Sequence, residues 1–179
     1  MAELEAGLDN ILKSPKDAGV LHMIVRRPRV DQREVLEEGE LDLEVGLAGD
    51  RWPEQASAFQ GTQWSHPDAQ ITVMNTRVIS LLASEMERWP LAGDQLYIEM
   101  DIGEENLPPG TRLTLGSAII EVVQQPHIGC KKFAGRYGVK ALGFINTPVG
   151  KRLRMRGMYA RIIQPGIVRV GDVSKKLQA

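Results

Sequence analysis

The sequence predicts a mainly β fold with a few helices, bent into a small barrel. Three observations lead there. Many short segments alternate or cluster apolar residues, Gly and Pro turn signals follow one another closely, and helical periodicity is confined to a few stretches. At 179 residues the chain can fill one hydrophobic core and is short for two.

Taken in order, residues 1–19 predict a helical extension: Leu4, Leu8, Ile11 and Leu12 recur at helical spacing and Pro15 closes the segment. A single domain is expected over 20–172, with 173–179 as a tail. Leu21–Val25 reads as a strand running into the basic R-R-P-R of 26–29. Residues 31–46 are acid-rich and expected to be solvated, and 53–67 read as a long loop. Gln70–Met74 is a strand that leads into Asn75, a residue suited to cap a helix. Val78, Leu81, Leu82, Met86 and Trp89 mark one face of that helix, and Pro90 ends it. Gln95–Met100 alternates as a strand, and L-P-P-G at 107–110 is a turn. Arg112–Leu115 and Ala118–Val123 flank Gly116-Ser117 as a hairpin. K-K-F-A-G-R-Y-G, 131–138, predicts a short helix stopped by Gly138. Met158–Gln164 and Ile167–Val170 straddle Pro165-Gly166 as a second hairpin.

Composition removes several function classes. With 42% apolar and 25% charged residues the chain reads as an ordinary soluble domain. No apolar run is long enough to cross a bilayer and no secretory signal is visible, so a cytoplasmic protein without a membrane partner is expected. A single cysteine excludes an internal disulfide framework and a Cys-rich zinc site. The net charge of −1 hides a division. Residues 1–121 hold 10 basic and 22 acidic residues, whereas Val122 to Gly171 carry ten Lys and Arg and no acid at all. An anionic partner near that segment is one reading, and mutual neutralisation of the two halves on folding is the other.

The one cysteine lies in P-H-I-G-C-K-K-F, 126–133. Free cysteines are often mere packing. Here Gly129 permits close approach, Pro126 breaks the preceding strand, and His127, Lys131 and Lys132 bring positive charge, which favours a thiolate. A thiolate can attack sulfur, carry a persulfide or ligate a soft metal. G-L-A-G-D-R-W, 46–52, offers a glycine-bracketed bend with Asp50 and Arg51, able to shape an anion site or to serve as ordinary turn chemistry. In R-L-R-M-R-G, 152–157, an extended backbone would align Arg152, Arg154 and Arg156 as a comb for phosphate or carboxylate, or as a charged strand edge that resists pairing. His22, His66 and His127 show no metal-ligand spacing.

Three blocks in this order, G-L-A-G-D-R-W, G-D-Q-L-Y-I-E-M-D-I-G-E-E-N-L-P-P-G-T-R-L-T-L-G and P-H-I-G-C-K-K-F, resemble the MOSC domain family, the C-terminal domain of molybdenum cofactor sulfurases. The resemblance covers roughly 20–172 and implies a compact MOSC-like β-barrel. It implies that Cys130 is a persulfide carrier or a molybdenum ligand, in a sulfurtransferase-type protein or a molybdenum-cofactor-dependent oxidoreductase. Asp50 and Arg51 become binding-site formers, and His127, Lys131, Lys132, Arg154 and Arg156 become candidates to hold the anionic pyranopterin. The family's wider associations with molybdenum-ion and pyridoxal phosphate binding come with the resemblance. So does a sulfur-donor protein as partner, since the cysteine-desulfurase half of larger relatives is not in this sequence. Many members carry a His where Trp52 stands. The rival reading, a non-catalytic module binding phosphate ligands or nucleic acid through 122–171, is weakened by an aromatic content of 5%, which leaves few stacking platforms.

Overall fold

A computed structural model describes residues 4, 6–57 and 66–178. Its centre is a closed barrel of seven strands. β1 (Ala18–Arg26), β5 (Ile71–Asn75), β6 (Leu96–Ile98), β7 (Arg112–Leu115), β8 (Ala118–Val122), β9 (Met158–Gln164) and β11 (Val173–Lys176) pair in the order β11-β7-β8-β9-β5-β6-β1. Antiparallel pairing of β1 with β11, Ala18 opposite Lys175 and Val20 opposite Val173, closes the ring. Residues 173–176, expected in the tail, are therefore barrel wall. β2 (Glu34–Leu36) continues the sheet from the far end of β1, while β3 (Glu38–Asp42), β4 (Gly46–Leu47) and β10 (Gly166–Arg169) form a separate three-stranded sheet.

Alternation along the strands separates two apolar clusters. Ile71, Val73, Leu96 and Ile98 face the barrel interior, and their neighbours Met74 and Tyr97 face an outer cluster under the helices. In β1 Leu21 and Ile24 both point inward although three residues apart. A register irregularity between Leu21 and Met23 supplies the extra residue. The outer cluster is roofed by α1 (Leu8–Leu12), α3 (Thr76–Leu82), α4 (Lys131–Tyr137) and α5 (Val139–Ile145), with α6 (Pro148–Arg152) following α5 and α2 (Trp52–Ser57) near the site described below. No helix among the described residues is long and apolar enough to cross a membrane.

Several expectations fail for identifiable reasons. The acid-rich stretch 31–46 is not mere solvated chain, because Gly39, Leu41 and Gly46 are buried in β3 and β4. The expected loop 53–67 contains α2, and its remainder between 58 and 65 lies outside the described residues. Asn75 caps α3 as predicted, accepting from the Arg77 amide at 2.9 Å. The helix then stops at Leu82, and a separate 3-10 helix, Met86–Ala92, carries Trp89 and holds Pro90 inside it. Met86 is exposed, so the predicted single apolar face does not exist. Strands β9 and β10 are not a hairpin; Pro165 turns the chain from the barrel into the other sheet, where Val168 lies opposite Gly39. The Gly116-Ser117 hairpin is present, with Gly116 at φ +56.

One departure from antiparallel order positions the site. β5 and β6 are parallel, with Val73 opposite Leu96, and a parallel pair needs a crossover. The crossover is α3 followed by the 3-10 helix, which delivers Pro90–Gly93 to one end of the barrel.

Candidate functional site

Four consecutive carbonyls, those of Pro90, Leu91, Ala92 and Gly93, end the crossover. The last carbonyls of a helix lack partners further along it, although that of Pro90 also accepts from the Gly93 amide at 3.1 Å. Each of these accepts a hydrogen bond from a different arginine: Arg33 Nε to Pro90 at 3.2 Å, Arg136 Nη1 to Leu91 at 2.7 Å, Arg156 Nη2 to Ala92 at 2.9 Å and Arg27 Nη1 to Gly93 at 3.1 Å. The donors come from four separate parts of the chain, so this short ladder gathers guanidinium groups that the sequence scatters. Gly93 is in the left-handed region at φ +88. A Cβ there would sit 3.6 Å from Arg33 Nη2 and 4.0 Å from Arg136 Nη1.

Two of the four arginines are matched by buried carboxylates. Asp50 Oδ2 accepts from the Arg27 amide at 2.8 Å and its Nε at 2.9 Å, and Oδ1 accepts from Arg27 Nη2 at 2.8 Å and the Trp52 amide at 2.9 Å. Burial works against the charge on Arg27, but the Asp50 hydrogen bonds and charge outweigh it and raise its pKa. Asp94, wholly buried, accepts from Arg156 Nη1 at 2.7 Å. Desolvation pushes its pKa up against the pull of Arg156. The second Asp94 oxygen lies 3.6 Å from His127 Nδ1. Burial, reinforced by Arg156 and Arg27, depresses His127 well below the ordinary histidine value, so the imidazole is neutral at physiological pH. It stacks on Tyr159 with centroids 4.4 Å apart. Gly157, at φ +102, makes the approach feasible: a Cβ would lie 2.7 Å from the Val73 carbonyl oxygen and 3.1 Å from Asp94 Oδ1.

Above this floor opens a cleft of about 760 Å³, within the range of small-molecule sites. Cys130, half-buried, lines it and also packs against the outer apolar cluster. It directly precedes α4, where Lys131 and Lys132 are exposed at the rim and Phe133 is buried beneath the Arg156 guanidinium at 5.0 Å. Arg51, Trp52 and Tyr159 also line the cleft.

The MOSC domain model matches residues 60–175, well over half of the chain. The chain belongs to the MOSC domain family. Among solved structures, one described as a hypothetical protein aligns at TM-score 0.61 and 18% identity, covering 92% of this chain and 69% of its own. YiiM from Escherichia coli aligns at TM-score 0.58 and 19% identity, covering 89% of this chain and 70% of its own. The YUAD protein from Bacillus subtilis aligns at TM-score 0.58 and 16% identity, covering 90% of this chain and 97% of its own. These likenesses carry the fold. No curated protein matches the sequence.

Within this MOSC domain the structure brings together Arg51, His127, Cys130, Lys131, Lys132 and Arg156 of the sequence candidates, all lining the cleft. Asp50 stands behind them: its side chain is fully buried and acts through Arg27 and the Trp52 amide. Trp52, buried at the start of α2, is part of the wall. Arg154 does not join. Arg152 ends α6 and is exposed, the chain turns after it, and Arg154 Nη1 donates to the carbonyls of Ile102 at 3.2 Å and Leu107 at 2.7 Å, away from the cleft. The cationic comb required an extended backbone, and Arg154 instead has φ +47. Mutual neutralisation holds for only part of the basic segment. Arg161 and Arg169 are neutralised by Glu121 and Glu38, whereas Lys131, Lys132, Arg136 and Arg156 face the cleft.

Sequence reasoning singled out neither Arg27, Arg33, Asp94, Arg136 nor Tyr159 as site residues. Signals existed for two of them: R-R-P-R marks Arg27, and Asp94 opens the second of the family blocks. The residues present suit an anionic pterin. Cationic side chains line the cleft together with Trp52, Tyr159 and Cys130. No group of three or more His, Cys, Asp or Glu able to hold a metal occurs among the described residues. Cys130 is the one soft donor lining the cleft that could contact a metal carried by a bound ligand.

Proposed function

We propose that this MOSC domain binds an anionic ligand of the molybdenum-cofactor class in the cleft and acts on it through Cys130, as a persulfide carrier or as a ligand to the metal. The observation that carries the reading is that the only cysteine lines a cleft also lined by Arg33, Arg51, Lys131, Lys132 and Arg136. Lys131 and Lys132 would screen negative charge beside the sulfur, Arg51 and Arg33 would hold the anionic part of the ligand, and Trp52 and Tyr159 would flank its planar part. Bound there, the cofactor would supply a metal centre for oxygen-atom or sulfur chemistry. The protein's part is to exclude bulk water and to present the thiol.

As a carrier, the Cys130 thiolate attacks the outer sulfur of a persulfide on a donor protein. A new S–S bond forms on Cys130, the donor's S–S bond breaks, and the donor leaves as a thiolate. Loading is read by intact mass after incubation with a persulfidated donor and, separately, by the pterin content of protein purified under non-reducing conditions. Cys130→Ser is expected to keep the fold and lose both the sulfur adduct and any thiolate–metal charge-transfer absorption. A Cys130→Ser protein that loads sulfur and binds metal as the parent does overturns the reading.

A further inference from the structure

Helices α4 and α5 pack against one another and each gives one side to the outer apolar cluster. Phe133 of α4 and Ala141, Phe144 and Ile145 of α5 are buried there. The sides they turn outward are unlike an ordinary solvated face. Val139, at 77%, is the most exposed large apolar side chain among the described residues. Lys131, Lys132 and Lys140 are exposed on the same two helices, and none pairs with a carboxylate among the described residues. The chain around them offers no relief, since Val122 to Gly171 contains no Asp or Glu.

Two glycines add a second, independent oddity. Gly135 and Gly143 lie inside α4 and α5, where glycine is less stable than alanine. Neither has a positive φ, and a Cβ at either would meet nothing within 4 Å. The described fold therefore has no use for glycine at these exposed positions, whereas another backbone approaching from outside would. The face also adjoins the thiol. Cys130 directly precedes α4, and the Gly129 amide before it donates to Asn146 Oδ1, at the end of α5, at 3.3 Å.

We propose that the outward face of α4 and α5 is the docking surface for an acidic segment of a partner protein. Its unmatched lysines fit carboxylates, Val139 fits an apolar side chain between them, and the glycines let the partner's backbone come close. A nucleic acid would find no stacking platform: Phe133 and Phe144 are buried, and the Tyr137 hydroxyl is held by the Arg88 carbonyl at 2.8 Å. A lipid surface calls for large apolar side chains to insert, and this face presents one valine and glycines. The partner's purpose rests on the reading above, in which a second protein brings its persulfide to Cys130, but the docking itself does not involve the sulfur.

The test measures binding of a labelled peptide of Glu-Glu-Leu repeats by fluorescence anisotropy at low salt. A Gln-Gln-Leu peptide of the same length, phosphatidylserine-containing vesicles and duplex DNA are run beside it. The acidic peptide is expected to bind at least about 10-fold more tightly than the Gln peptide. Lys140→Glu and Gly143→Gln are each expected to weaken it by roughly 5-fold or more, and neither residue lines the cleft, so their effect locates the peptide on the helices. Gly143→Gln should at the same time raise the melting temperature, because glutamine is the better helix former, which separates lost docking from lost fold. Lys175→Glu, exposed on β11, and Cys130→Ser are expected to bind the peptide as the parent does. A Cys130→Ser protein that still loads sulfur would therefore overturn the thiol reading and leave this one standing. Absence of peptide binding in the parent, or parent-like affinity in either folded Lys140→Glu or Gly143→Gln, overturns the docking surface. Vesicles or duplex DNA binding more tightly than the acidic peptide overturns its assignment to a protein.

Discussion

The four arginines on the Pro90–Gly93 carbonyls divide into an inner and an outer pair. Arg27 and Arg156 are the inner pair, each with a carboxylate whose side chain is fully buried. Arg33 and Arg136 are the outer pair, matched among the described residues only by carbonyls and the exposed Asp31. The residue type and the acceptors are the same. The difference is whether the counter-charge is internal. An internally matched guanidinium is structural and has little charge left for a ligand, whereas an unmatched one at a rim carries an unspent field. Deleting inner charges should therefore break the fold, and deleting outer charges should alter binding alone.

The largest expected effect is on the inner side. Asp94→Ala leaves the Arg156 guanidinium buried without its carboxylate, a situation that costs about 3–5 kcal/mol. Urea denaturation should show that loss. The double variant Asp94→Ala with Arg156→Met removes both charges and should recover part of it. If Asp94→Ala alone is as stable as the parent, the inner pair is not structural and the division fails.

Next comes a pH dependence belonging to the same floor. His127 is depressed in the folded state relative to about 6.5 in the unfolded chain. Its contribution is therefore in full force above pH 6.5 and is lost as the pH falls toward the folded-state value. Asp94 acts in the opposite sense, since its raised pKa favours the folded state below the ordinary aspartate value and that gain is lost as the pH rises through the folded value. Between pH 7.5 and 5.0 the histidine should dominate. Urea midpoints at the two pH values should fall for the parent and fall less for His127→Phe, which keeps an aromatic ring against Tyr159. Equal falls in both proteins would remove His127 from the account.

How much of this was legible beforehand depends on the range of the forces involved. Local signals read well. The Asn75 cap, the Gly116-Ser117 hairpin and the stop of α4 at Gly138 each depend on a few neighbouring residues. The order of the three family blocks located Cys130 and Asp50. Signals that depend on distant chain did not read. Nothing near Val173 shows that it closes the barrel against Val20, and nothing between Met158 and Val170 shows that the two strands enter different sheets. The arginine ladder is the extreme case. Its acceptors are backbone carbonyls, which every residue has, and its donors lie up to 129 positions apart, from Arg27 to Arg156. Only the parallel crossover between β5 and β6 makes those carbonyls a common destination.

The smallest effect tests the sharpest contrast between sequence spacing and position. Arg154 and Arg156 are two residues apart and looked equivalent in R-L-R-M-R-G. In the fold Arg156 joins the inner floor and Arg154 reaches the carbonyls of Ile102 and Leu107 on another side. Burial lowers the Arg154 pKa with only Glu104 in weak opposition, so its role there is to satisfy two carbonyls. Arg154→Met should cost about 1–2 kcal/mol in urea denaturation, the worth of hydrogen bonds from a charged donor. It should leave the affinity for inorganic phosphate at the parent value, because its guanidinium never faces the cleft. A loss of phosphate binding in Arg154→Met would return Arg154 to the site, and the inner and outer pairs would no longer account for where the charge is used.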